Sequence, residues 1–172
     1  MKKLKTDLKF KGIIIDAYES QFKNGEKNLR IEQVTHPGGV CVAAITKDNT
    51  VLLVKQYRFG IEKDLIEFPA GLIDPGEDSM DTARRELQEE TGYLAHHIES
   101  VGHLHLSPGY SNEITYLYFA KDLEYVGTNF DENEEITIIE IPLETFYDMC
   151  DTNQFTDAKT VALAYYLQNR TA

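Results

Sequence analysis

Apolar residues along this chain recur in two rhythms. In the first third they alternate with polar residues or run together in short bursts: Lys11–Tyr18, Leu29–Val34, Gly39–Ile45 and Val51–Gln56. Side chains of an extended backbone point alternately to opposite faces, so bursts of this length predict strands. Asp48-Asn49 supplies the turn of a hairpin between two of them. A turn-rich stretch, Pro69–Gly76, interrupts the strand rhythm. The spacing then predicts a helix over Ser79–Thr91, with Asp78 or Ser79 placed to cap its start and Gly92 to end it. Strands resume at Ile98–Leu106, Ile114–Ala120 and Ile136–Ile141, and two helices, Leu143–Cys150 and Ala158–Asn169, close the chain. Strands mixed with well-separated helices predict an α/β layered domain. The regular strand–helix alternation of a doubly wound sheet is missing, as are internal repeats and Pro-rich linkers.

Composition narrows the class. A length of 172 residues fits one domain with a sizeable core. The 42% hydrophobic and 27% charged fractions are those of an ordinary globular protein. No apolar run approaches the roughly 20 residues that span a bilayer. The basic start, MKKLKTDLKFKG, lacks the apolar stretch of a signal peptide, which predicts a cytoplasmic protein. Cys41 and Cys150 fit no metal or redox spacing and read as reduced thiols. The net charge of −12 argues against broad nucleic-acid binding, which needs cations to replace counterions. It leaves room for a small phosphorylated ligand, because a carboxylate cluster that binds metal gives local negative charge a use.

Such a cluster lies on the first predicted helix. Glu86, Glu89 and Glu90 fall in its last two turns. Residues three or four apart differ by about 60° or 40° in direction, so the three carboxylates crowd one side. Like charges at this spacing cost about 0.2–0.5 kcal/mol per pair, and the C-terminal end of the helix dipole disfavours anions. Stability alone does not select this arrangement. Divalent cations would offset both costs, since Mg²⁺ takes a few carboxylates together with water and phosphate oxygens.

The glycines framing the helix complete a pattern. Gly71, Glu77, Arg85, Glu86, Leu87, Glu89, Glu90 and Gly92 stand in the register G-x5-E-x7-R-E-U-x-E-E-x-G-U, where U is a bulky aliphatic residue. This stretch resembles the Nudix box. Tyr93 departs from it, since the last position is usually aliphatic. The resemblance implies the Nudix fold, an α/β/α sandwich around a mixed β-sheet, and hydrolysis of a nucleoside diphosphate linked to another group. Carried over by position, Glu86 and Glu90 are the expected main metal ligands and Glu89 a supporting one. Arg85 is expected to orient the cluster through Glu77. The carbonyl of Ala70 is expected as a backbone ligand. The implied cofactor is Mg²⁺, with Mn²⁺ as a substitute.

Further strings, HPGGVCVAAI, VLLVKQYR, IEFPAG, SPGYSNE, DENEEI and TDAKT, are similar to the branch that hydrolyses ADP-ribose and other nucleoside diphosphate sugars. This similarity places Arg58, Glu67, Pro108, Tyr110 and Glu113 at the substrate. A guanidinium grips phosphate oxygens bidentately, which suits Arg58. Tyr110 could stack on a ring and Glu113 could accept from ribose hydroxyls. Water attack needs a proton acceptor, and in the resembling enzymes a late acidic loop supplies it. Here that loop is Asn129–Glu135, with Glu132 the favoured base and Glu134 reaching a metal. The resemblance also makes residues 1–35 a strand region for homodimer formation and 36–172 the hydrolase domain. The expected reaction is Mg²⁺-dependent cleavage of ADP-ribose to AMP and ribose 5-phosphate. Another diphosphate sugar, such as GDP-mannose or ADP-glucose, is the alternative. A non-catalytic nucleotide-sugar-binding module is disfavoured by the intact set of carboxylates.

Overall fold

The computed structural model describes residues 1–129 and 135–171, and the chain divides into two compact units. The first comprises Met1–Gly38 and His105–Ile114. Its sheet is antiparallel, with β1 (Lys2–Lys11), β2 (Asp16–Asn24) and β3 (Lys27–Thr35) in that order. The expected strand over Lys11–Tyr18 is corrected here. Gly12 to Ile15 form the turn between β1 and β2, closed by the Gly12 N–H donating to the Ile15 carbonyl at 3.0 Å. The apolar run Ile13–Ile15 is therefore exposed on a bend rather than buried in a ladder. Strands flank it on both sides, β2 from Asp16 and β1 in the Lys-rich start. Leu4, Leu8 and Phe10 alternate there with polar residues, but all three are exposed in this unit.

The second unit holds Gly39–Leu104 and the described residues from Thr115 onward. Its strands are β4 (Gly39–Ile45), β5 (Thr50–Arg58), β6 (Lys63–Glu67), β7 (Ala70–Leu72), β8 (Tyr93–His105), β9 (Ile114–Tyr125) and β10 (Ile136–Pro142). The main path through the sheet is β10-β5-β4-β9-β8, with β6 on β5 and β7 on β4. β4 runs parallel to β9 and antiparallel to β5 and β7, so the sheet is mixed. Three helices, α1 (Ser79–Thr91), α2 (Leu143–Asp151) and α3 (Ala158–Thr171), cover it. No helix among the described residues is long and apolar enough to cross a membrane.

β4 shows why the unit is a sandwich. Six of its residues are buried, and their side chains alternate between two cores. Cys41 and Ala43 join Leu53, Phe68, Leu117 and the buried residues of α2 and α3, including Phe146, Leu163 and Leu167. Val40, Val42 and Ala44 face the opposite way, onto Ala83 and Leu87 of α1 together with Leu52 and Tyr118. The observed layering is the expected α/β/α sandwich around a mixed sheet.

One departure from regular pairing positions the site. β4 and β5 are paired only near their hairpin, at Ala44↔Leu52 and Ile45↔Val51. Beyond that they part. β6 takes the edge of β5 from Val54 to Arg58, and β7 takes the edge of β4 from Gly39 to Cys41. The corner Phe68-Pro69 connects the two inserts, and the Pro69 carbonyl accepts from the Val42 N–H at 2.9 Å. The stretch read as turn-rich from sequence thus includes a three-residue strand. It is too short for periodicity to reveal.

Candidate active site

α1 begins and ends as its sequence dictates. The Asp78 carboxylate accepts from the Met80 N–H at 2.9 Å, and Asp81 adds an anion to the first turn, where the helix dipole favours one. Gly92 takes the left-handed conformation, φ 77°, and donates its N–H to the Gln88 carbonyl. A side chain at Gly92 would also meet the Tyr125 ring and the backbone at Gly127 and Thr128. Basic residues, which the dipole would favour, are missing from the last turn.

The carboxylates near that end turn toward β7. Glu90 is buried, and its Oε2 accepts from the Ala70 N–H at 2.9 Å. The carboxyl group of Glu86 occupies the space that a β-carbon on Gly71 would fill: an ideal Cβ would lie 1.9 Å from Glu86 Cδ. Two residues one helical turn apart therefore converge on two consecutive residues of a strand. A side chain at 71 would displace this carboxyl from the strand.

Arg85 compensates the crowding. Its Nε and Nη2 donate to the two oxygens of Glu77 at 3.0 and 2.9 Å. Nη1 donates to Glu86 Oε1 at 2.8 Å and Glu89 Oε2 at 2.9 Å. One cation thus serves three carboxylates. Its hydrogen bonds hold the Glu77 carboxyl well below the usual range, at about 2, and the same partners raise the Arg85 guanidinium pKa. Among the described residues, no three His, Cys, Asp or Glu side chains stand together at metal-holding spacing. The oxygen donors that do converge, Glu86 and Glu90 against the Ala70–Gly71 backbone with Glu89 beside them, suit a hard divalent cation.

Arg58 ends β5. Its Nε and Nη2 donate to Glu67 Oε1 and Oε2 at 2.6 and 2.9 Å, a bidentate pair. Glu67 is completely buried at the end of β6. Its second cation is Lys159, whose Nζ lies 2.9 Å from Oε2. Sequence reasoning had picked out the string Thr156–Thr160 only through resemblance. It did not foresee that Lys159 would meet Glu67, or that Thr160 would accept from the Phe68 N–H, because 92 residues separate the members of each pair.

The remaining candidates divide between the first unit and the acidic loop. Pro108 and Tyr110 belong to a tight turn in which the Tyr110 and Ser111 N–H groups donate to the Ser107 carbonyl at 3.1 and 2.8 Å. This turn is tied to β3 by the Val34 N–H on the Tyr110 carbonyl at 2.8 Å. Pro108 and Tyr110 also line a cavity of about 360 Å³ with Lys3, Tyr18 and Gln33. Glu113 lies 3.9 Å from His36 Nδ1, beyond hydrogen-bond range, and that nitrogen accepts from the Gly38 N–H. Glu132 and Glu134 lie outside the described residues. The chain leading to them is fixed at Asn129, whose N–H donates to the Glu89 carbonyl at 3.1 Å.

A sandwich of this topology, with a carboxylate-bearing helix against a short inserted strand, defines a class. Residues 35–164 match the NUDIX domain family, and the chain belongs to the Nudix hydrolases. It is 36% identical over 167 residues to the ADP-ribose pyrophosphatase of Bacillus subtilis (strain 168), covering 95% of this chain and 90% of that one. It is 39% identical over 171 residues to the methanol dehydrogenase activator of Bacillus methanolicus, covering 97% and 92%. The crystal structure of an ADP compounds hydrolase shares the fold. Its TM-score is 0.85 over 98% of this chain and 94% of that one, at 23% identity.

Proposed function

We propose that this Nudix hydrolase cleaves the pyrophosphate bond of ADP-ribose to AMP and ribose 5-phosphate, with Mg²⁺ as cofactor and Mn²⁺ able to replace it. The observation that carries this reading is the convergence of Glu86 and Glu90 on Ala70–Gly71. Carboxylate oxygens brought together against a strand backbone are the donor set a hard divalent cation takes. Nudix hydrolases generally use divalent metals. The residues that would hold the ion are Glu86 and Glu90, with Glu89 and the Ala70 carbonyl in support. Once bound, the ion supplies positive charge against the diphosphate oxygens and acidifies water.

The chain's own groups do the rest. Arg58, held by Glu67 at its Nε–Nη2 edge, offers Nη1 to a phosphate oxygen. Arg85 orients Glu86 and Glu89 through its Nη1. In this reading Pro108 stiffens the turn that presents Tyr110 to a ring of the substrate, and Glu113 accepts from ribose hydroxyls. The oxygen of water bonds to one phosphorus as the bridging P–O bond breaks. Glu132 takes the proton, Glu134 assists as a ligand, and the leaving phosphate carries away the electron pair. We also propose a homodimer formed through residues 1–35, as the resemblance implies; a sedimentation mass of one chain would remove that part.

The test is product analysis with ADP-ribose in the presence of Mg²⁺ and then of EDTA. Metal-dependent release of AMP and ribose 5-phosphate is expected. Glu90→Gln, which keeps an acceptor for the Ala70 N–H, should abolish turnover while leaving the fold intact. Equal rates with and without metal, or no hydrolysis, refutes the reading. A parallel panel with GDP-mannose and ADP-glucose identifies a different preferred sugar.

A further inference from the structure

The start of α3 does more than cap a helix. Asp157 Oδ2 accepts from the Thr160 N–H and from the Thr160 hydroxyl, both at 2.9 Å. The Thr160 oxygen in turn accepts from the Phe68 N–H at 3.0 Å. Asp157 Oδ1 holds Lys159 Nζ at 2.6 Å, and Nζ reaches back to Glu67 Oε2 at 2.9 Å. The bonds form a closed ring that passes through the backbone between Glu67 and Phe68. Both the side chain of Glu67 and the peptide following it are therefore fixed from one helix terminus. The four charges, Arg58, Glu67, Asp157 and Lys159, cancel. Glu67 is fully buried, while the Arg58 side chain keeps about a third of its surface exposed, 36%. The Arg58–Glu67 pair already neutralises Glu67. Since a buried ion pair replaced by apolar groups is often no less stable, stability gives little reason to add a second, half-buried pair.

We propose that Lys159 is a positioning residue for the Nudix reaction: through Glu67 it sets the orientation of Arg58 and so the affinity for the substrate's phosphate. This rests on the reading of Arg58 as a phosphate contact. A carboxylate held by one partner can rotate about its own side-chain bonds, and Arg58 would follow it. A carboxylate held by Lys159 as well presents a fixed edge. The guanidinium is pre-organised before substrate arrives, which lowers the ordering cost of binding.

The experiment has two arms on the full-length protein. The first is the ¹H–¹⁵N signal of the Arg58 Nε–H, assigned by its loss in Arg58→Lys. A shifted, exchange-protected signal is expected in the wild type. It should return toward free-arginine behaviour in Lys159→Met and be largely restored in Lys159→Arg. The second arm is steady-state kinetics with ADP-ribose and Mg²⁺. Lys159→Met should raise KM about tenfold with kcat within about twofold, the pattern of a contact made equally in ground and transition states. Lys159→Gln reads the same signal if the methionine variant does not fold by circular dichroism. An unmoved Arg58 signal in the folded variant overturns the proposal, as does a KM unchanged while the signal moves. If the wild type fails to hydrolyse ADP-ribose, or Arg58→Lys leaves KM unchanged, the functional reading fails, and the spectroscopic arm still decides whether Lys159 positions Arg58.

Discussion

Gly71→Ala should separate catalysis from folding. Gly71 lies on β7 outside the left-handed region, so an alanine meets no backbone strain there. The obstacle is the Glu86 carboxyl group, with Cδ, Oε1 and Oε2 at 1.9, 2.0 and 2.3 Å from the new methyl position. Non-bonded carbon atoms settle near 3.5 Å, so the carboxyl must retreat by more than about 1 Å. It is the end of a flexible side chain and can do so by changing rotamer. The stability cost is then about 1 kcal/mol, the scale of an off-rotamer side chain with one partly exposed hydrogen bond lost. In a domain of this size that lowers Tm by only about 2–4 °C. Catalysis is less forgiving, because a misplacement of about 1 Å can reduce rate by about 100-fold. The measurements are a thermal melt and kcat/KM for ADP-ribose across a Mg²⁺ titration. A folded variant with activity down about 100-fold is expected. Wild-type kcat/KM at all Mg²⁺ concentrations would show that the place of Glu86 over Gly71 does not matter to the chemistry.

Three further outcomes follow from the same structure. The Arg85 hydrogen bonds hold the folded Glu77 carboxyl at about 2, against 4.5 for an ordinary glutamate. Because the folded value is the lower one, its stabilisation is complete above about 4.5 and disappears as pH falls toward 2. The stability gap between wild type and Glu77→Gln in urea titrations should therefore be constant at neutral pH and close across that acid window; a gap that persists at the acid end contradicts the Arg85–Glu77 account. Leu87→Ala removes a fully buried side chain between α1 and the sheet and should cost about 2–5 kcal/mol by denaturant unfolding, with under 1 kcal/mol counting against this packing. Burial pushes the Cys150 thiol up to about 11 and the Cys41 thiol higher still. Neither should react quickly with a disulfide reagent at pH 8 in the native protein, and both should react on unfolding.

What the sequence revealed follows the range of the interactions involved. The helix Ser79–Thr91 was legible to the residue, because its cap, its terminal glycine and its carboxylates are all local signals. The strand Gly39–Ile45 was equally clear, since burial on both faces leaves an unbroken apolar run. Ile13–Ile15 misled for the opposite reason: three apolar residues suggest a strand, but the Gly12–Asp16 bonds close a turn there. β6 and β7 escaped because strands of five and three residues around a proline carry no period. The Glu86 and Glu90 pair could be found from spacing, whereas the Gly71 opening beneath Glu86 could be named only as part of a box. Lys159 was beyond reach, since nothing near position 159 reports a carboxylate on a distant strand.

The alternation along β4 has a mechanical consequence. Neighbouring residues of one strand, Cys41 and Val42, belong to different hydrophobic layers. Both layers lean on this one strand, so loosening the box helix strips one side of the strand on which the C-terminal helices rest. The sandwich should melt as one piece, and a lesion beneath α3 should unsettle a carboxylate on α1 that it never touches.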